Sequence, residues 1–196
     1  FWAEVAGELE WFKPWSKVFQ WDYPSFKWFL DAKCNITYNC LDRHLAQGRK
    51  NKAAFIWVPE QEDEDDRVLT YQDLYVRVNE FAALLRDFAG VKTGDRITFH
   101  MPMMVELPVS MLACARLGVV HSQVFGGFSG SACGDRIVDS GSNILITMDA
   151  YSRNGELIDH KAKADEAVAQ AEKSGVKVDK VLVWRLRLSA ASALAA

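Results

Sequence analysis

Two short segments hold residue types suited to gripping an anion. Phe125-Gly126-Gly127-Phe128-Ser129-Gly130 concentrates glycine where an apolar run ends and a helical pattern begins. Glycine lets a backbone come close to a ligand, and free amides at a helix start after Ser129 would favour a phosphate or carboxylate. The segment lacks the Gly-Lys-Ser/Thr ending of a triphosphate loop and the spacing of a dinucleotide fingerprint. The plainer reading is a tight strand-to-helix turn. The second segment is Asp149-Ala150-Tyr151-Ser152-Arg153-Asn154-Gly155. The planar guanidinium of Arg153 suits phosphate oxygens and Gly155 frees the local chain. Taken alone, an exposed arginine is more often an ordinary surface charge. Parallel sheets place ligands at the carboxyl ends of their strands. If both segments leave neighbouring strands of such a sheet, they form one site for an anionic ligand.

The other polar residues offer less. His44, His100, His121 and His160 are scattered, and their spacing supports no Ser-His-Asp arrangement. His100 and His121 lie in or beside apolar strand patterns and read as structurally satisfied residues. Asp42-Arg43-His44 reads as a local polar cluster or a helix-capping ion pair. Cys34, Cys40 and His44 lack a fourth zinc ligand at a usual spacing. The four cysteines show no CxxC pair and no framework spacing, which is the pattern of reduced thiols in a cytoplasmic protein. Met101, Met103, Met104 and Met111 read as core filling.

The elements that must position these residues emerge from patterning. The chain has 196 residues, 49% hydrophobic and 25% charged, an ordinary globular balance that excludes a disordered or fibrous chain. A net charge of −3 argues against a nucleic-acid partner, and no apolar run reaches the roughly 20 residues of a membrane span. Residues 1–52 are rich in aromatics and turn signals without a sustained period, as expected of a segment that wraps over another surface. From residue 53 the pattern changes. Ala53–Val58 reads as a buried strand, and the run from Glu60 to Asp66, acidic at six of seven positions, reads as a solvated loop.

From Leu69 onward the pattern is regular. Thr70 with Asp73 predicts a helix start, and Leu74, Val78, Phe81, Leu85 and Phe88 form one apolar stripe ending at Gly90. Strands are predicted at Arg96–Met101, Val119–Phe125, Asn143–Thr147 and Lys180–Trp184. Helices fall at Glu106–Leu117, at Ser129 to about Ser140, and near Lys161–Lys173. Alternation at this spacing predicts an α/β fold, a parallel sheet with helices on both faces, over 53–184. Residues 185–196 break the pattern; five of the last eight are alanine, as in a truncated end, a tag or a frameshift.

Several runs together resemble a known family: Tyr38–His44, Met101-Pro102-Met103, Glu106-Leu107-Pro108, Met111–Gly118 and Val124–Ser129, with Glu8–Phe12 at the start. They are similar to the amino-terminal part of the AMP-forming acetyl-CoA synthetases, within the adenylate-forming ligases. The resemblance extends from about residue 1 to Trp184 and not to the tail. It implies the amino-terminal portion of the large domain of an adenylate-forming enzyme. The complete enzyme would use ATP, Mg2+ and CoA to turn acetate into acetyl-AMP and then acetyl-CoA. In this family the phosphate loop, acyl pocket and catalytic lysine lie further along. The fragment alone is therefore expected to be inactive, with no catalytic residue, no metal ligand and no tightly bound cofactor.

The resemblance also implies which residues border CoA. Gly126 and Gly127 correspond to a loop beside the pantetheine channel. Arg153, Asn154, Gly155 and Glu156 correspond to a segment against the nucleotide phosphates of CoA, where an arginine is common at each end. Glu156 reverses the second of those charges. A propionyl- or other short-chain acyl-CoA synthetase, a non-catalytic CoA- or nucleotide-binding module, and a scaffold piece are the alternatives. The residues do not set an oligomeric state.

Overall fold

The computed structural model describes residues 1–62 and 64–186. In chain order the elements begin with α1 (Trp2–Ala6), the strands β1 (Lys17–Asp22) and β2 (Ser25–Leu30), and α2 (Arg43–Ala46). Next come β3 (Ala53–Trp57), β4 (Arg67–Thr70), α3 (Tyr71–Ala83), β5 (Arg96–Met101), α4 (Glu106–Leu117) and β6 (Val120–Phe125). The remainder is α5 (Gly130–Ser140), β7 (Ile144–Met148), β8 (Ala150–Arg153), β9 (Glu156–Asp159), α6 (His160–Lys173) and β10 (Lys180–Trp184).

Four of these strands form a parallel sheet in the order β10-β7-β5-β6. A parallel sheet must be covered on both faces, and the side-chain alternation divides accordingly. Ile97, Phe99 and Met101, with Ile144, Ile146 and Met148, join the core that includes Leu74, Val78 and Phe81 of α3 and Leu107 and Ala113 of α4. Val124 and Leu145 join the second core, with Ile137 of α5 and Ala164, Ala167 and Ala171 of α6. The expected α/β fold is thus present. One expectation about it needs correction: β5 lies between β6 and β7, so the glycine segment and the Arg153 segment do not leave adjacent strands.

Local chemistry fixes the helix ends. Thr70 and Asp73 form a reciprocal capping box, with the Asp73 amide donating to Thr70 Oγ1 at 3.1 Å and the Thr70 amide to Asp73 Oδ2 at 3.0 Å. The stripe that follows is buried as far as Leu85, but Phe88 is 75% exposed. Residues Leu84–Phe88 wind as a π turn, which rotates the apolar face away from the core. On the other face, α5 and α6 approach closely because Gly130 and Gly134 face Lys163, Glu166, Ala167 and Gln170.

The amino-terminal region is more regular than its composition predicts. β1 and β2 form an antiparallel hairpin, with Phe19 opposite Trp28. The following stretch docks on α4: Asn35 Nδ2 donates to the carbonyls of Ala115 and Arg116, and Thr37 Oγ1 to that of Leu112. Asp42 pairs with both terminal nitrogens of Arg116, while Arg43 donates to the Glu8 carbonyl. Asp42 and Arg43 therefore anchor this region rather than form an isolated polar cluster. The strand at Ala53 is not buried in the main sheet. It forms a two-stranded antiparallel ribbon with β4, leaving Ile56 63% exposed.

Candidate functional site

The segments that leave β5 and β6 and the strand β8 border a cleft of about 260 Å3, lined among others by Trp57, Glu60, Phe125, Gly127 and Arg153. Gly126 is buried at its floor. A Cβ at Gly126 would lie 2.9 Å from the Pro102 nitrogen and 3.0 Å from the Met101 carbonyl carbon, so close approach of two chain segments excludes a side chain there. A Cβ at Gly127, which is exposed, would come within 2.6 Å of the Phe125 ring. Both glycines thus have an intramolecular reason.

The helix start behind them is also accounted for. The Ala132 amide donates to Ser129 Oγ at 3.2 Å and the Ser131 amide to Glu166 Oε1 at 3.1 Å. The chain's own hydroxyl and carboxylate hold first-turn amides of α5 that were expected to stand free for an anionic ligand.

Arg153 is positioned differently. The expected loop after β7 is a hairpin, with Arg153 directly opposite Glu156 across the two-residue turn Asn154-Gly155. Both turn residues have positive φ, 54° and 76°, the geometry of a type I′ turn, which favours Asn-Gly. That dipeptide was the local signal for the hairpin. Arg153, Asn154, Gly155 and Glu156 are all exposed. The Arg153 guanidinium carbon lies 5.9 Å from the centre of the Phe125 ring, and among the described residues no carboxylate is within ion-pairing distance of it. The Gly155 amide donates to Glu60 Oε1 at 3.1 Å, across 95 residues of sequence.

Tyr151, within the second expected segment, and Lys163 and His160, outside both, tie the site together. Tyr151 Oη donates to the Gly126 carbonyl at 3.4 Å, as does Lys163 Nζ at 3.5 Å. These bonds join the β6 and β8 loops despite the intervening strand. His160 is wholly buried; its Nε2 is 3.0 Å from the His100 carbonyl, and its ring packs 4.4 Å from that of His100 and 5.2 Å from that of Tyr151. No local pattern marks Tyr151, Lys163 or Glu60, because each acts across a long stretch of sequence.

His100 corrects another expectation. It is wholly buried, and among the described residues its ring nitrogens make no well-formed hydrogen bond, having only the nearby backbone of Phe125 and Phe128. Burial, reinforced by neighbouring His160 and Lys163, lowers its pKa to about 4. Burial also lowers the pKa of His160 and of His121, whose Nδ1 has no partner among the described residues. Cys114 and Cys133 are buried thiols pushed up to about 12, whereas Cys34 and Cys40 are exposed. Met101 and Met104 fill the core, but Met103 is 76% exposed. Among the described residues there is no group of three or more His, Cys, Asp or Glu that could hold a metal ion. No helix among them is long and apolar enough to cross a membrane.

The arrangement offers an exposed guanidinium and a turn amide beside a cleft, suited to an anionic group. Comparison with known proteins bears on which one. Residues 41–195 match the family described as AMP-binding enzyme, and residues 1–40 match the acetyl-coenzyme A synthetase N-terminus. An acetyl-coenzyme A synthetase of Rubrobacter xylanophilus is 44% identical over 185 residues, covering 94% of this chain and 28% of the relative. One from Leptospira biflexa is 48% identical over 185 residues, covering 93% and 28%. A 3-hydroxypropionyl-coenzyme A synthetase of Sulfurisphaera tokodaii is 47% identical over 188 residues, covering 94% and 28%. The chain thus spans a little over a quarter of the length of these relatives.

Proposed function

The chain belongs to the AMP-binding enzyme family, and from that premise we propose that it supplies the amino-terminal portion of the large domain of an acetate–CoA ligase. In the whole protein an acetate oxygen attacks the α-phosphorus of ATP, giving acetyl-AMP and pyrophosphate. The CoA thiol sulfur then attacks the acyl carbon, giving acetyl-CoA and AMP. Mg2+ accompanies ATP in this reading, held outside the residues described. Acetate, ATP and CoA are the partners, and no bound nucleic acid or tightly held cofactor is required. Four free cysteines fit the cytoplasm as its compartment.

The observation that carries the reading is sequence agreement of 44–48% with acetyl-coenzyme A synthetases over more than nine-tenths of the chain. The site geometry supports a division of labour. Arg153, with the Gly155 amide, offers charge-assisted donors to a phosphate of CoA. Asn154 and Glu156 flank that contact, and Gly126 and Gly127 border the path of the pantetheine arm. Residues 1–52 brace the domain, 53–184 form its α/β part, and 185–196 lie beyond the pattern. Residues 187–196 of that tail are outside the described structure.

A second reading keeps the chemistry and changes the acid. The 3-hydroxypropionyl relative is as similar as the acetyl relatives, so another short-chain acid is the alternative substrate. A non-catalytic CoA- or nucleotide-binding module is separated from both by turnover. The test is acid-dependent exchange between ATP and pyrophosphate in the full-length protein, with acetate, propionate and 3-hydroxypropionate compared. Exchange strongest with acetate, followed by thioester formation with CoA, is expected. The 196-residue chain alone should give none. Absence of exchange with every acid in the full-length protein would favour the binding module, and exchange by the chain alone would overturn the assignment.

A further inference from the structure

Resting on the reading of the Arg153 turn as a phosphate-facing mouth, we infer that Glu60 is a built-in competitor for the anion that this mouth receives. The Gly155 amide in the type I′ turn points out of the hairpin, and the atom that accepts its proton is Glu60 Oε1, at 3.1 Å. A carboxylate oxygen stands where a phosphate oxygen would accept the same bond. Glu60 and Glu64 line the same cleft as Arg153 and Gly127, so the guanidinium shares its cleft with two carboxylates. Glu60 is exposed, and among the described residues the Gly155 amide is its carboxylate's hydrogen-bond partner. The contact is therefore free to open, and an incoming anion displaces it.

Such a competitor lowers apparent affinity by the fraction of time that it leaves the mouth open. Occupation for two-thirds to nine-tenths of the time weakens CoA binding by about three- to tenfold. Glu60 thereby sets how much CoA the protein needs, without touching the acid or ATP. The same contact covers the turn amide with an acidic run, which disfavours weakly held anions more than a ligand that also engages Arg153.

The test uses the full-length protein at low ionic strength, with Glu60→Gln, Glu60→Ala and Arg153→Ala compared for the KM of CoA. Acetate-dependent pyrophosphate exchange, which involves no CoA, serves as the internal reference, and thermal melts check folding. Both Glu60 variants should lower the KM of CoA by about three- to tenfold, while Arg153→Ala raises it. If Arg153→Ala raises the KM and the Glu60 variants leave it unchanged or raise it, the competitor is refuted and the mouth stands. If Arg153→Ala leaves the KM unchanged, the mouth itself is refuted, and the competitor with it.

Discussion

At His100 an imidazole is sealed in the sheet with no well-formed hydrogen bond to either nitrogen among the described residues, 4.4 Å from the ring of buried His160. Charging it there would place a cation in the interior, so the folded state holds it neutral, with a pKa of about 4 against 6.5 when exposed. For a base, a lowered folded pKa means that the unfolded chain takes up the proton first. The associated stability is complete above pH 6.5 and is lost as pH falls from there toward 4, below which the loss levels off. His100 alone should cost about 2 kcal/mol between pH 7.5 and 5. Denaturant titrations of the protein and of His100→Leu at both pH values check this. The variant should lose less stability on acidification, and an identical pH dependence would show that His100 carries none of it. Residue type and strand period place His100 inside. They do not reveal how poorly its nitrogens are partnered, because that depends on where the backbone of Phe125 and Phe128 lies.

Among the elements, the α5–α6 contact is the most tightly specified. A Cβ at Gly134 would lie 2.6 Å from Gln170 Cβ and 2.8 Å from the Ala167 carbonyl oxygen. Alanine gains about 1 kcal/mol in helix propensity over glycine. Against that stands an overlap with backbone, which cannot swing aside, and overpacking of this kind costs about 1–3 kcal/mol. The overlap wins, so Gly134→Ala should lower the Tm by several degrees, and an unchanged or raised Tm in a calorimetric scan would refute this packing. The elements themselves were legible where periodicity was long. The capping box at Thr70, the α4 stop at Gly118 and the β10 strand coincide with their sequence signals. Short or two-sided elements were not. β8 and β9 have four residues each, and in β1 and β2 exposed aromatics blur the alternation. β3 looks buried because its residues are apolar, although among the described residues it pairs only with β4.

For the molecule as a whole, strand order decides what the sequence conceals. Alternating strands and helices announce a parallel sheet, but they do not give the order that puts β5 between β6 and β7. The candidate site was legible to the extent of its two segments. Their connection through Tyr151 and Lys163, the intramolecular duties of Gly126 and Gly130, and the reach of Glu60 to Gly155 are tertiary facts. We propose a division of labour within a longer protein. In it these residues border CoA, while ATP and the acid are handled elsewhere.

That claim is tested most directly by following the two half-reactions of full-length Arg153→Ala separately. Loss of a charged phosphate contact costs about 1.5–3 kcal/mol, so the KM of CoA should rise roughly ten- to a hundredfold while acetate-dependent pyrophosphate exchange stays near the unsubstituted rate. An equal fall in both half-reactions would make Arg153 a structural residue and contradict the account.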